Sequence, residues 1–186
     1  MEFLNEIKEK YKDFDFTKEY NSRILNSKRK EYSRGGLAYN LGIYELSIVD
    51  HLIIDNSRGK IIKNPRKTSD FTYYFDENDK LSLITKGDFS VSFFIYESNT
   101  TRVLTFEGLK STPEIVVYFE SIYDEFSRMV YYIEIHSVII RELFFSYDTL
   151  DTINVEEKIS ISDSPNPPRI RKYSFPMSDV LKFNHK

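Results

Sequence analysis

Three histidines, a few adjacent acid pairs and no cysteine are the raw material for chemistry in this chain. His51 and His136 lie in the segment that alternates like β-strand. As a general base or metal ligand, either needs carboxylates or further nitrogens converging on it. Asp50, Asp55 and Glu134 are near in sequence. Neighbours on a strand point to opposite faces, so Asp50 is badly placed to assist His51. Both histidines read as ordinary surface or half-buried residues. The acid pairs Asp124-Glu125 and Glu156-Glu157 have the residue types of a glycosidase pair. Exposed hairpin tips leave such acids with ordinary acidity, so solvated turns are the preferred reading. No Gly-rich phosphate loop, activated Ser or Cys nucleophile, or metal-ligand spacing is present. The expectation is a chain without catalysis, cofactor or metal.

The elements that must position any site follow a repeated phrase. Its clearest copy is Tyr123-Asp124-Glu125-Phe126-Ser127-Arg128-Met129, after which Met129, Tyr131, Ile133 and Ile135 alternate. An acid, a few turn-capable residues and an alternating apolar run are the signature of a β-hairpin connection. With Asp55, Asp76, Glu97, Asp124 and Asp148 as markers, the steps are 21, 21, 27 and 24 residues. Two strands and two turns occupy about that length, so residues 37–163 read as a hairpin array. Within it, a phase shift after Gly42 suggests a bulge, and Asp55 to Gly59 makes a turn. The stretch 113–128 has two readings. Ser111-Thr112-Pro113-Glu114 is a fair helix start, whereas the β-branched and aromatic residues behind it favour a hairpin, which is preferred.

Outside the array, Phe3, Leu4, Ile7 and Tyr11 predict an amphipathic helix over Glu2 to Lys12 that covers part of the sheet. A second helical stretch is expected near Thr17 to Leu25. Lys28-Arg29-Lys30, ending in Gly35-Gly36, reads as a solvated loop. Asp163 to Pro168 breaks the array, Arg169 to Phe175 is a basic edge strand, and a tail follows. The whole is expected to be one mainly β domain over 1–186, an antiparallel meander of about eight to ten strands, twisted or partly curled, with an N-terminal helix.

Charge is unevenly distributed. Residues 1–69 carry 14 Lys+Arg and 10 Asp+Glu, residues 70–163 carry 7 and 18, and residues 164–186 carry 5 and 1. The array is therefore strongly acidic between mildly basic flanks. An acidic surface repels phosphate and attracts a basic protein, so nucleic acid is an unsuitable partner. No signal segment or membrane-length apolar run is visible, which with the absence of cysteine leads to the expectation of a cytoplasmic protein away from membranes.

At Tyr123 to Met129, and again at Phe75-Asp76-Glu77-Asn78-Asp79-Lys80-Leu81, the chain resembles the YD repeat of Rhs-type bacterial toxin shells. That pattern is Tyr-Asp, two residues, Gly, a basic residue and Leu; Ser127 and Asp79 replace the Gly. In size, acidic centre and want of a catalytic set, the chain also resembles the immunity proteins encoded beside polymorphic toxins in low-GC bacteria. That resemblance implies a non-catalytic inhibitor that blocks a basic toxin domain, most simply a nuclease, and it transfers no residues. Asp124, Glu125, Asp148, Asp151 and Glu120 are the candidate partner-binding residues. The alternative is a small-ligand carrier in which the meander closes into a barrel. Where a second face of Phe94, Tyr96, Tyr132 and Phe144 points separates the two: a cavity means carrier, the helix or solvent means interface. The chain has no Trp, so the Gly-x-Trp signature of lipocalins is missing.

Overall fold

Three turns of the array are built alike, and their construction explains the repeat. Asp76 donates its N–H to Lys80 O (2.9 Å), while its Oδ1 accepts from the N–H groups of Asn78 and Lys80 (2.8 and 2.9 Å). Asp124 does the same with Arg128 O (2.8 Å) and the N–H groups of Phe126 and Arg128 (2.9 Å each). Asp148 bonds Thr152 at both positions, 3.1 and 3.2 Å. An aspartate that begins the loop thus satisfies the N–H groups a tight turn would leave unpaired. In the first two turns the fourth residue, Asp79 or Ser127, has φ of +59° or +58°. This is the left-handed conformation that glycine adopts most readily, at the position where the YD pattern carries its Gly.

The computed structural model describes residues 2–38, 59–63, 70–148 and 152–176. Helices α1 (Glu2–Lys10) and α2 (Phe16–Leu25) precede strands β1 (Arg29–Arg34), β2 (Lys60–Ile62), β3 (Phe71–Phe75), β4 (Leu81–Lys86), β5 (Ser90–Tyr96) and β6 (Thr100–Glu107). Strands β7 (Glu114–Tyr123), β8 (Met129–His136), β9 (Ile139–Tyr147), β10 (Thr152–Ile161) and β11 (Arg169–Pro176) complete the set. They form one eleven-stranded antiparallel sheet in the order β11-β10-β9-β8-β7-β6-β5-β4-β3-β1-β2. From β3 to β11 it is an uninterrupted meander. Among the described residues it does not close, and β2 and β11 are its edges. The bulge expected at Gly42 and the residues Asp50, His51, Asp55 and Asp151 lie outside the described residues, as does most of the hairpin that Asp55 was to turn.

The strand count exceeds the expected eight to ten, and one expectation is corrected outright. The basic run Lys28-Arg29-Lys30 leads into a strand rather than a loop. Its cations are accommodated because β1 pairs with the aromatic β3. The Arg29 guanidinium lies 3.5 Å from the Phe75 ring centroid and Lys30 Nζ 5.1 Å from that of Tyr74, the geometry in which a ring face attracts a cation. Farther along β1, Ser33 is fully buried, with its hydroxyl bonded to Gly36 O (2.7 Å) and paired with Tyr73 Oη (3.2 Å). Gly59 comes so close to this corner that a Cβ there would lie 1.9 Å from Gly36 O. Only glycine fits at that approach.

Both faces of the sheet are apolar. One buries Tyr73, Phe75, Ile84, Phe94, Val103, Phe119, Tyr132, Leu143 and Val155 in a cluster running from β3 to β10. The other buries Leu83, Phe93, Leu104, Phe106, Ile115, Tyr118 and Ile135 against Leu4, Ile7 and Tyr11 of the first helical segment and Phe16, Tyr20 and Ile24 of α2. Asp15 caps α2 by accepting from Lys18 N (3.0 Å), a contact worth about 1 kcal/mol. Arg23 then fastens the helix by donating to Ser82 O and Phe94 O, both 2.6 Å. Ser82 is the unpaired residue of the β3–β4 register shift, so Arg23 satisfies a carbonyl that the ladder leaves over.

Residues 113–128 adopt the hairpin. Strand β7 is central, with Phe119 buried on one face and Ile115 and Tyr118 on the other. The aromatic grouping is corrected in part: Phe94, Tyr96 and Tyr132 share one face, but Tyr132 pairs with Leu143, which turns Phe144 to the opposite face beside Tyr131. Phe94 and Tyr132 belong to the core, while Tyr96 and Phe144 are exposed.

Candidate functional site

In a meander, alternate turns fall at the same end of the sheet. The β3–β4, β5–β6, β7–β8 and β9–β10 connections therefore stand in a row. Among the described residues this row carries Asp76, Glu77, Asp79, Glu97, Asp124, Glu125 and Asp148, against Lys80 and Arg128. The opposite row, from Gly87, Gly108, Ser137 and Ser162, carries Asp88 and Asp163 against Lys110, and Lys110 is bridged to Asp88 at 3.1 Å. One end is acidic and the other close to neutral.

The tips are coupled to one another. Tyr123 N donates to Asn99 O (2.9 Å), joining β7 to the β5–β6 turn. Arg128 bridges Asp124 at 2.8 Å and lies over the rings of Phe126 (5.1 Å) and Tyr147 (4.6 Å). Tyr147 Oη in turn donates to Met129 O (2.7 Å), which ties the β7–β8 tip to the β9–β10 tip. Phe126 is 69% exposed at the centre of the row. An aromatic ring held in water by its neighbours, among carboxylates, is suited to anchor a partner.

The structure brings Asp124, Glu125 and Asp148 together at this end, with Glu125 and Asp148 exposed. Asp124 is mostly occupied by its own turn. Burial pushes its carboxyl up, but the bonds from Arg128 and Phe126 outweigh this and hold it below the ordinary range. The ordinary acidity expected of hairpin tips does not apply to it. Glu120 is placed elsewhere, on the helix-side face. Its carboxylate accepts from Arg102 (2.5 Å) and Tyr118 Oη (2.6 Å). Burial raises the Glu120 pKa, and those two bonds bring it below normal. Burial and the bond to Glu120 push the Tyr118 phenol up, and Arg102, although burial opposes its charge, is held protonated by Glu120 and Glu97. Arg102 also contacts Glu97, so one cation is shared between this strand acid and a turn acid.

The second acid pair, Glu156-Glu157, is not a turn. Both residues lie in mid-strand on opposite faces, and Glu157 is only 2% exposed. It meets Arg141 at 2.7 Å, Arg171 at 3.6 Å and Tyr173 Oη at 2.9 Å. His136 is exposed at the end of β8. No group of His, Asp and Glu able to hold a metal occurs among the described residues, and no helix among them is long and apolar enough to cross a membrane. Glu97 and Phe126 are members of the acidic end that the candidate residues omitted. Glu97 was already visible as a repeat marker, and Phe126 stood inside the repeated phrase.

No family model, curated protein or solved structure matches this chain.

Proposed function

We propose that this protein is a non-catalytic inhibitor that binds a basic toxin domain with the acidic end of its sheet and occludes the toxin's site, in the manner of an immunity protein. The observation that carries this reading is the row of acidic turns around the exposed Phe126. Carboxylates concentrated at one end attract a cationic cleft and speed encounter with it, while a central aromatic supplies the desolvated contact that charge alone does not. A nuclease is the simplest partner, because its phosphate-binding cleft is cationic. The barrel carrier is less favoured, since the described strands leave the sheet open and Phe94 and Tyr132 are packed into the core rather than lining a cavity.

The test is capture of partners from the source cell, followed by titration of the protein against the captured toxic domain. Occlusion predicts that activity is lost completely only near molar equivalence. Protection at strongly substoichiometric amounts rejects it. Charge reversal at Glu77 and Glu125 should slow association about tenfold or more at low salt, and equal reversal at Asp88 and Asp163 should leave it unchanged. Equal effects from both ends would show that the turn row is not the binding surface.

A further inference from the structure

Among the described residues, the helix-side face is covered by α1 and α2 over its first part, and beyond β8 its side chains form a different surface. Cross-strand register sets Tyr131, Phe144, Glu156 and Lys172 in one row from β8 to β11. Ser146, Asn154 and Ser174 form the row beside it. The two rows border a groove of about 530 Å³ whose lining includes Phe144, Ser146, Asn154, Glu156, Lys172 and Ser174. That volume lies within the range of small-molecule sites.

The groove has a floor, a polar rim and no excess charge. Phe144 is 41% exposed. Its ring sits 5.2 Å from that of Tyr131, whose hydroxyl is tied to Glu142 at 3.1 Å, so the aromatic platform is preorganised. Ser174 Oγ donates to Asn154 Oδ1 (2.9 Å), which turns the amide oxygen toward β11. Glu156 and Lys172 bridge at 3.0 Å and cancel each other's charge.

We propose that this groove binds a neutral saccharide. The negative π-face of an exposed phenyl ring attracts the weakly positive C–H face of a pyranose. Hydroxyls at the sugar's rim can both donate and accept, and the hydroxyls of Ser146 and Ser174, the Asn154 amide, the Glu156 carboxylate and the Lys172 ammonium supply the matching partners. A phosphorylated or otherwise anionic ligand would require uncompensated cations, and Lys172 is already matched by Glu156. A nucleoside base would stack on the same ring, so adenosine and AMP serve as the competing ligands. Because the groove is open on one side, affinity is modest, with a Kd on the order of 1 mM for a short oligosaccharide. This site is independent of the acidic turn end.

The experiment is an amide chemical-shift titration of the full chain with chitotriose, cellotriose and maltotriose, alongside adenosine and AMP. At least one trisaccharide is expected to give saturable shifts centred on residues 144–146, 154–156 and 172–174. Phe144→Ala should weaken binding at least about tenfold by removing the platform. Ser146→Arg should abolish it by filling the groove. Both positions are exposed, and retention of the fold is verified by unchanged amide shifts in β3 to β6. Absence of saturable shifts with all three sugars up to about 20 mM, well above the expected Kd, overturns the proposal. Saturable binding of adenosine or AMP in place of the sugars also overturns it, as does sugar binding that survives both substitutions.

Discussion

Replacing Ser127 by glycine should stabilise the fold, and the expected size follows from one dihedral angle. Ser127 holds φ of +58° while its N–H bonds Asp124 O at 3.0 Å. An L-residue in that conformation is disfavoured by about 1–2 kcal/mol. Glycine escapes the penalty but gives back about 0.4–1 kcal/mol through the greater freedom of the unfolded chain. The net gain is about 0.5–1 kcal/mol, or a rise in Tm of about 1–4 °C for a chain of this length. The bonds that define the turn run through the backbone and the Asp124 carboxylate, so the substitution leaves them in place. Gly87 offers the reciprocal measurement: it has φ of +51° and open space around an added Cβ. Gly87→Ala should therefore lose about 1 kcal/mol through conformation alone. Asp79→Gly should gain less than Ser127→Gly, because Asp tolerates the left-handed region better and Asp79 also bridges Arg29 at 2.8 Å. Urea unfolding and calorimetry of the three variants measure these differences. A neutral or destabilised Ser127→Gly, beside a Gly87→Ala that behaves as expected, would refute the left-handed turn and with it the physical account of the repeat.

Glu157→Gln should destabilise by about 2 kcal/mol in urea unfolding, because it removes the buried carboxylate that faces Arg141, while the contact to the partly exposed Arg171 on the edge strand contributes little; a change under about 1 kcal/mol would show that the site is effectively solvated. Asp124→Asn should lower stability at neutral pH, and the gap from the parent should close on acidification. The sign follows from a carboxyl held below its ordinary value in the folded state: its contribution is present above the unfolded pKa and lost as pH falls through the folded one. Denaturation midpoints measured from pH 7 downward check this, and a gap that widens on acidification would contradict it. Phe126→Ala should leave Tm within about 1 °C, because the ring is exposed, yet raise the dissociation rate of the proposed partner; unchanged dissociation would remove Phe126 from the proposed interface.

Most of the sheet was legible because its hairpins announce themselves twice, through a capped turn and an alternating strand. The hairpin array was placed by its turn markers, the alternation from Met129 to Ile135 marks β8, and the edge strand β11 and both helices were read within a few residues of their bounds. The ambiguity at 113–128 had a physical origin. A strand buried on both faces, as β7 is with Ile115, Tyr118 and Phe119, loses its alternation and has the same composition as a buried helix. Strand β1 was missed for the opposite reason. Arg29, Lys30 and Arg34 give it no apolar pattern, and it is held by ring faces of β3 and by the buried Ser33 network, neither visible without the partner strand. Glu157 was hidden likewise, since Arg141 and Arg171 oppose it from two other strands. The candidate site was legible in its turn acids and not in Glu120, whose environment depends on which strands neighbour β7.

The acids of this chain divide by where they sit, and the division decides what salt should do. In the strands, Glu31 meets Arg29, Glu120 meets Arg102, Glu142 meets Lys158 at 2.7 Å and Glu156 meets Lys172 at 3.0 Å. Except for the Arg29 contact within β1, these pairs cross between neighbouring strands, so their charges largely cancel at short range and favour register. At the turns there is no strand beyond the tip to supply a counter-charge. Asp79, Glu97 and Asp124 reach an arginine of a neighbouring strand or of their own turn, and Glu77 and Glu125 project into solvent. The negative field is therefore strongest at the end where charge is least committed to the fold. Ionic strength screens exposed charges over about 10 Å at 0.1 M and short, part-buried pairs much less. Raising salt should slow association with the proposed partner steeply while leaving the unfolding midpoint nearly constant.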